Sequence, residues 1–111
     1  MTALAKRLVA SKGWRWIPGM KTSKGEIVLR VLKDRLEVVD GYVSGCISPS
    51  LTDPGTLGHL LALVREAWGD PLICTAVDNT GYGWGMEGCP GTIYSTEAEA
   101  LVAALEAAPC P

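Results

Sequence analysis

The stretch from Leu51 to Asp70, LTDPGTLGHLLALVREAWGD, encodes a helix together with both of its ends. Asp53 can accept from the unpaired amides of a first turn, and Pro54 follows where a missing N–H costs nothing. At about 100° per residue, Leu57, Leu60, Leu61, Val64, Ala67 and Trp68 share one apolar stripe, with Gly58, His59, Ala62 and Glu66 opposite. Gly69 can adopt the left-handed conformation that closes a helix, and Asp70-Pro71 stops its continuation. A helix of this length with large side chains along one face has to bury that face. The rest of the chain must supply the cover.

The flanking segments read as further helices and antiparallel strands. Thr2 can cap a helix over Ala3–Ser11 with Leu4, Ala5, Leu8 and Val9 on one side. Trp14-Arg15-Trp16-Ile17 is extended, which puts both indoles on one face and Arg15 on the other, and Pro18-Gly19 turns the chain. After a polar loop at Lys21–Gly25, Glu26–Leu32 alternates Ile27, Leu29 and Val31 with Val28, Arg30 and Leu32. Lys33-Asp34 forms a hairpin turn into Arg35–Asp40, where Leu36 and Val38 alternate with Glu37 and Val39, and Tyr42–Cys46 adds a short strand. Beyond the central helix, strands are expected over Leu72–Val77, from Tyr82 to Met86 with Tyr82, Trp84 and Met86 on one face, and over Thr92–Tyr94. Gly88–Gly91 is a turn. Thr96 and Glu99 have capping-box spacing for a last helix with Ala98, Leu101, Val102, Leu105 and Ala108 inward. The expected fold is α+β: an antiparallel sheet with three amphipathic helices packed on it, in one domain spanning residues 1–111.

Composition supports a folded chain, with 48% hydrophobic and 20% charged residues. No apolar run approaches the roughly 20 residues that cross a bilayer, and the opening MTALAKRLVASKG lacks a signal peptide's apolar block. A soluble, cytoplasmic protein without membrane association is expected. Cys46, Cys74, Cys89 and Cys110 include no C-x-x-C and have only His59 to join them, so neither a metal site nor a cofactor is expected. Buried thiols and one tail thiol are the simpler reading. His59 itself falls on the outer side of its helix, where a solvated role is expected rather than a place in a cysteine–histidine dyad. Gly83–Gly88 spells G-x-G-x-x-G, but Cys89-Pro90-Gly91 follows and the next helix starts eight residues on. A glycine-lightened strand and turn therefore fits better than a phosphate cradle.

Charge is unevenly spread. Residues 1–35 hold nine cationic and two anionic side chains, a net +7, whereas residues 36–111 hold Arg65 against ten acids, a net −9. Such asymmetry suits a basic surface for a ligand, two halves facing each other, or solvated faces that happen to differ in sign, and it would also permit a homodimer held by complementary charge. For the first, Trp14, Arg15, Trp16, Lys21, Lys24 and Arg30 are the candidate ligand-binding residues. Aromatic faces beside cations hold nucleotides and single-stranded nucleic acid by stacking and charge. Against this stand the overall acidity of the chain and the alternation that separates Arg15 from the indoles.

Three phrases, RLVASKGWRWIPGM at 7–20, LTDPGTLGHLLALVREAWGDP at 51–71 and TEAEALVAALEAAP at 96–109, resemble a family of small phage and prophage proteins that share these blocks around variable middles. The order of helices and strands is also similar to the phage ABA-sandwich type of domain. The resemblance implies a small phage accessory protein in the host cytoplasm, with no catalytic residue to carry over. Function is then expected in residues 21–50 and 72–95. The leading expectation is non-catalytic binding to a host protein, in the manner of an inhibitor of a defence component. Nucleotide or single-stranded nucleic-acid sequestration is the alternative, and a cysteine-dependent enzyme the third.

Overall fold

The computed structural model of the chain describes residues 2–69, 73–78, 81–85, 94 and 96–108. In chain order its elements are α1 (Ala3–Ala10), β1 (Val28–Val31), β2 (Arg35–Val38), β3 (Gly41–Ser44), α2 (Pro54–Trp68), β4 (Cys74–Asp78), β5 (Gly81–Gly85) and α3 (Glu97–Ala107). The class is α+β, and every pairing of named strands is antiparallel.

The ends of α2 follow its sequence. Asp53 accepts from the Thr56 amide at 2.8 Å, Pro54 opens the first turn, and Gly69 closes the helix at φ 65°. Leu60 and Val64 are buried, while Leu57, Leu61, Ala67 and Trp68 are half-buried against the same core. Two residues outside the expected stripe are also buried, Leu63 and Thr56. The Thr56 hydroxyl tolerates burial because it accepts from the Lys21 amide (2.8 Å) and donates to Asp53 (3.0 Å). Those bonds pin the start of α2 to the segment before β1.

The most enclosed of the three helices is α3, which packs against α1, α2, β4 and β5. Ala98, Ala100, Leu101, Val102, Ala104 and Leu105 are all buried, a wider surface than one amphipathic stripe. The Thr96 hydroxyl caps it, accepting from the Glu99 amide at 3.1 Å. On α1, Ala5 and Leu8 are buried and Leu4 half-buried, but Val9, expected inward, is exposed. A two-turn helix packed chiefly against α3 covers only a narrow strip.

Among the described residues the strands form two sheets rather than one, β1-β2-β3 and β4-β5. Cys74 pairs with Gly85 and Asp78 with Gly81. The expected third strand after them lies outside the described residues except for Tyr94, which sits in an isolated bridge. Tyr82 and Trp84 lie on β5, but their side chains, Met86 and the turn at Gly88–Gly91 lie outside the description.

In the larger sheet the Lys33-Asp34 turn closes the β1–β2 hairpin as expected, with the Leu32 amide donating to the Arg35 carbonyl. The faces of β1 do not follow simple alternation. Val28 pairs with Val38, then Arg30 with Glu37 and Val31 with Leu36, so Leu29 is an extra residue in a bulge. Paired residues share a face. The bulge therefore shifts Val31 to the side of Leu36, away from Ile27 and Leu29 with which it was grouped, and leaves Arg30 opposite. Val28, Leu36 and Val38 are buried, and one apolar cluster runs from Val28 and Leu36 through Trp16, Met20 and Leu60 to Leu101 and Leu105.

Candidate functional site

All four ion pairs among the described residues join the basic first third to the acidic remainder: Arg7–Glu106, Arg15–Glu66, Lys21–Asp53 and Arg30–Glu37. Four of the nine cations of residues 1–35 are thus paired within the chain, in the manner of two halves facing each other. Arg7 and Arg15 hold their carboxylates bidentately, Arg15 at 2.9 and 2.8 Å. Hydrogen bonding to Glu106 raises the pKa of Arg7, and hydrogen bonding to Glu66 raises that of Arg15. The guanidinium of Arg15 in turn lowers the Glu66 carboxyl below its ordinary range. Asp53 is also lowered, first by the Thr56 amide and hydroxyl bonds and then by Lys21.

The structure does not gather Trp14, Arg15, Trp16, Lys21, Lys24 and Arg30 into one site. Trp16 is 8% exposed and donates its indole N–H to the Gly45 carbonyl at 3.3 Å, so it belongs to the core. Trp14 meets it edge to face at 5.4 Å but is only half-buried. Arg15 lies across α2 on Glu66, Lys21 at the Asp53 cap, Arg30 across the sheet on Glu37, and Lys24 in an exposed turn.

Two surfaces emerge instead. The first is a half-open cleft of about 820 Å³ between the C-terminal ends of α1 and α3 and the flank of α2, with Trp14 and Arg15 in its lining. Leu63, Ala67 and Leu105 give it an apolar floor, and Arg7, Lys12, Arg15, Glu66 and Glu106 add charge. Gly13 crosses it closely, since a Cβ there would come 2.8 Å from Leu105 Cδ1.

The second surface is the outer face of β1-β2-β3 and its turns. Of six exposed large apolar side chains, four lie here, Ile27, Leu29, Val39 and Tyr42, while Val31 is exposed on the Leu36 side at the edge of the sheet. Leu29 and Tyr42 are 51% and 53% exposed, where a sheet covered on one side ordinarily presents polar groups. Arg30 and Glu37 pair between them, and Arg35 stacks 4.6 Å over the Tyr42 ring. Apolar content in residues 21–50 was visible in the sequence, but its exposure was not, because the bulge that redistributes β1 leaves no local signature.

His59 is half-buried rather than solvated. Its ring lies on Gly19, where a Cβ would approach Cε1 to 2.9 Å, and Nδ1 donates to the Gly55 carbonyl at 2.8 Å. Cys46, expected inside, is exposed and unbonded to another thiol. The side chain of Cys74, the residues Cys89 and Cys110 and the end of the G-x-G-x-x-G string lie outside the description. Among the described residues no three metal-ligating side chains cluster, and no helix is long and apolar enough to cross a membrane. Compared with protein-family models, curated proteins and solved structures, the chain matches none.

Proposed function

We propose that this protein works by non-catalytic binding to another protein through the outer face of its three-stranded sheet. The observation that carries this reading is the concentration of exposed apolar side chains there, Ile27, Leu29, Val39 and Tyr42, against Val9 and Val31 elsewhere among the described residues. Contiguous apolar surface is costly to leave in water and marks interaction sites. Its chemistry is that of an interface centre: an aromatic ring, guanidinium groups and aliphatic side chains, with Arg30 matched by Glu37. Arg30 is paired with Glu37, and the face presents separate apolar side chains rather than a run of cations, which favours a protein over nucleic acid as partner. The resemblance of the helical blocks to small phage proteins makes a host protein, such as a defence component, the partner to seek first.

The test is affinity capture from host lysate with the wild-type chain, with the double variant Leu29→Asp/Tyr42→Asp and with Lys6→Asp on exposed helical surface. A stoichiometric partner retained by wild type and by Lys6→Asp but lost by the double variant supports the reading. Equal retention by all three removes it.

A further inference from the structure

We propose that the cleft between α1, α2 and α3 binds a small amphiphilic carboxylate, a molecule with an apolar body and one anionic end. This site shares no residue with the sheet face and is independent of its partner.

Three features select that chemistry. The floor of Leu63, Ala67 and Leu105 offers apolar contact, and about 820 Å³ lies within the range of small-molecule sites. The lining charge is nearly balanced: Arg7 is held by Glu106 and Arg15 by Glu66, while Lys12 has no ion-pair partner among the described residues. One uncompensated cation suits one anionic group. A polyanion would meet the two carboxylates as well, so a nucleotide triphosphate or an oligonucleotide is a poorer match.

The third feature is an unused donor. Trp16 gives its indole N–H to Gly45 and Trp68 gives its own to Ala104, as enclosed tryptophans generally do. The indole N–H of Trp14, half-buried in the cleft lining, has no acceptor among the described residues. With Lys12 it provides a neutral and a charged donor beside an apolar floor. Arg15 is not consumed either, because both its bonds to Glu66 use terminal nitrogens and leave Nε–H over.

The test titrates the full chain with decanoate, decylammonium, decanol and an oligothymidylate, read by displacement of anilinonaphthalene sulfonate and by tryptophan emission. Decanoate should saturate and displace the dye, and decylammonium should bind at least tenfold more weakly. Lys12→Glu should weaken decanoate about tenfold, the scale of a hydrogen bond to a charged group. Trp14→Phe, which keeps a ring and removes the N–H, should weaken it severalfold with the fold intact by circular dichroism. Leu29→Asp/Tyr42→Asp should leave decanoate binding unchanged. Equal affinity for decanoate and decylammonium, indifference to Lys12→Glu, tighter binding of the oligothymidylate, or loss of binding in the sheet variant would each overturn the proposal.

Discussion

The helical part of this molecule and its three-stranded sheet use similar apolar residues to opposite ends. In α3, side chains on nearly every side are buried, because α1, α2, β4 and β5 surround it and alanines at 98, 100 and 104 let them approach. In the sheet, Val28, Leu36 and Val38 face the core while Leu29 and Tyr42 are left in water. The contrast separates apolar residues that hold the fold from those that are available to a partner. Identity alone does not make that distinction, since Leu29 and Leu101 are the same residue with 51% and 0% exposure.

That pair gives the largest expected effect. Leu101→Ala removes a fully enclosed side chain and should cost about 3–4 kcal/mol in urea unfolding, the range for leucine truncation in a packed core. Leu29→Ala should change stability by no more than about 0.5 kcal/mol. A cost for Leu29→Ala approaching that of Leu101→Ala would dissolve the comparison, since the sheet face would then be part of the scaffold.

Gly13→Ala sharpens it from the helical side. The added methyl would stand 2.8 Å from Leu105 Cδ1 and 3.4 Å from the Ala67 Cβ, so the Leu105 side chain must turn aside or the loop must yield. Overpacking of this kind costs about 1–3 kcal/mol. Thr96→Ala comes next, at about 1 kcal/mol for a lost N-cap. Both should lower the thermal midpoint without disturbing retention of a partner by the sheet face, and a selective loss of that retention would show that the halves are coupled.

How far these regions could be read in advance tracks how local their causes are. The caps at Thr2, Asp53 and Thr96, the Gly69 closure and the Lys33-Asp34 hairpin each follow from a few adjacent residues, and each is present. Burial of Leu63, Thr56 and Ala100 was less legible, because it depends on elements distant in sequence closing over a second side of a helix. The division into two sheets and the bulge at Leu29 have the same origin. The dispersal of the candidate ligand residues has a related cause: a run of cations marks a surface only if no carboxylate folds back onto it. Here Glu106, Glu66, Asp53 and Glu37 do so from 99, 51, 32 and 7 residues away.

The smallest expected effect concerns the junction of the two regions, where Asp53 holds Thr56 and Lys21 and so ties α2 to the strands. Its carboxyl is lowered chiefly by the Thr56 bonds, so the unfolded chain takes up this proton more readily than the folded one. By linkage, stability from the ionised group is fully present above the unfolded value, about 3.9, and is lost as pH falls through the lower folded one. Asp53→Asn keeps an oxygen that can cap and removes the titration. The variant should therefore unfold along a flatter pH curve than wild type below about pH 4, and the two curves should run parallel at neutral pH. Matching slopes in acid would mean that the carboxylate is not sensed by the fold, and that the tie between helix and sheet rests on the Thr56 hydroxyl and the Lys21 amide alone.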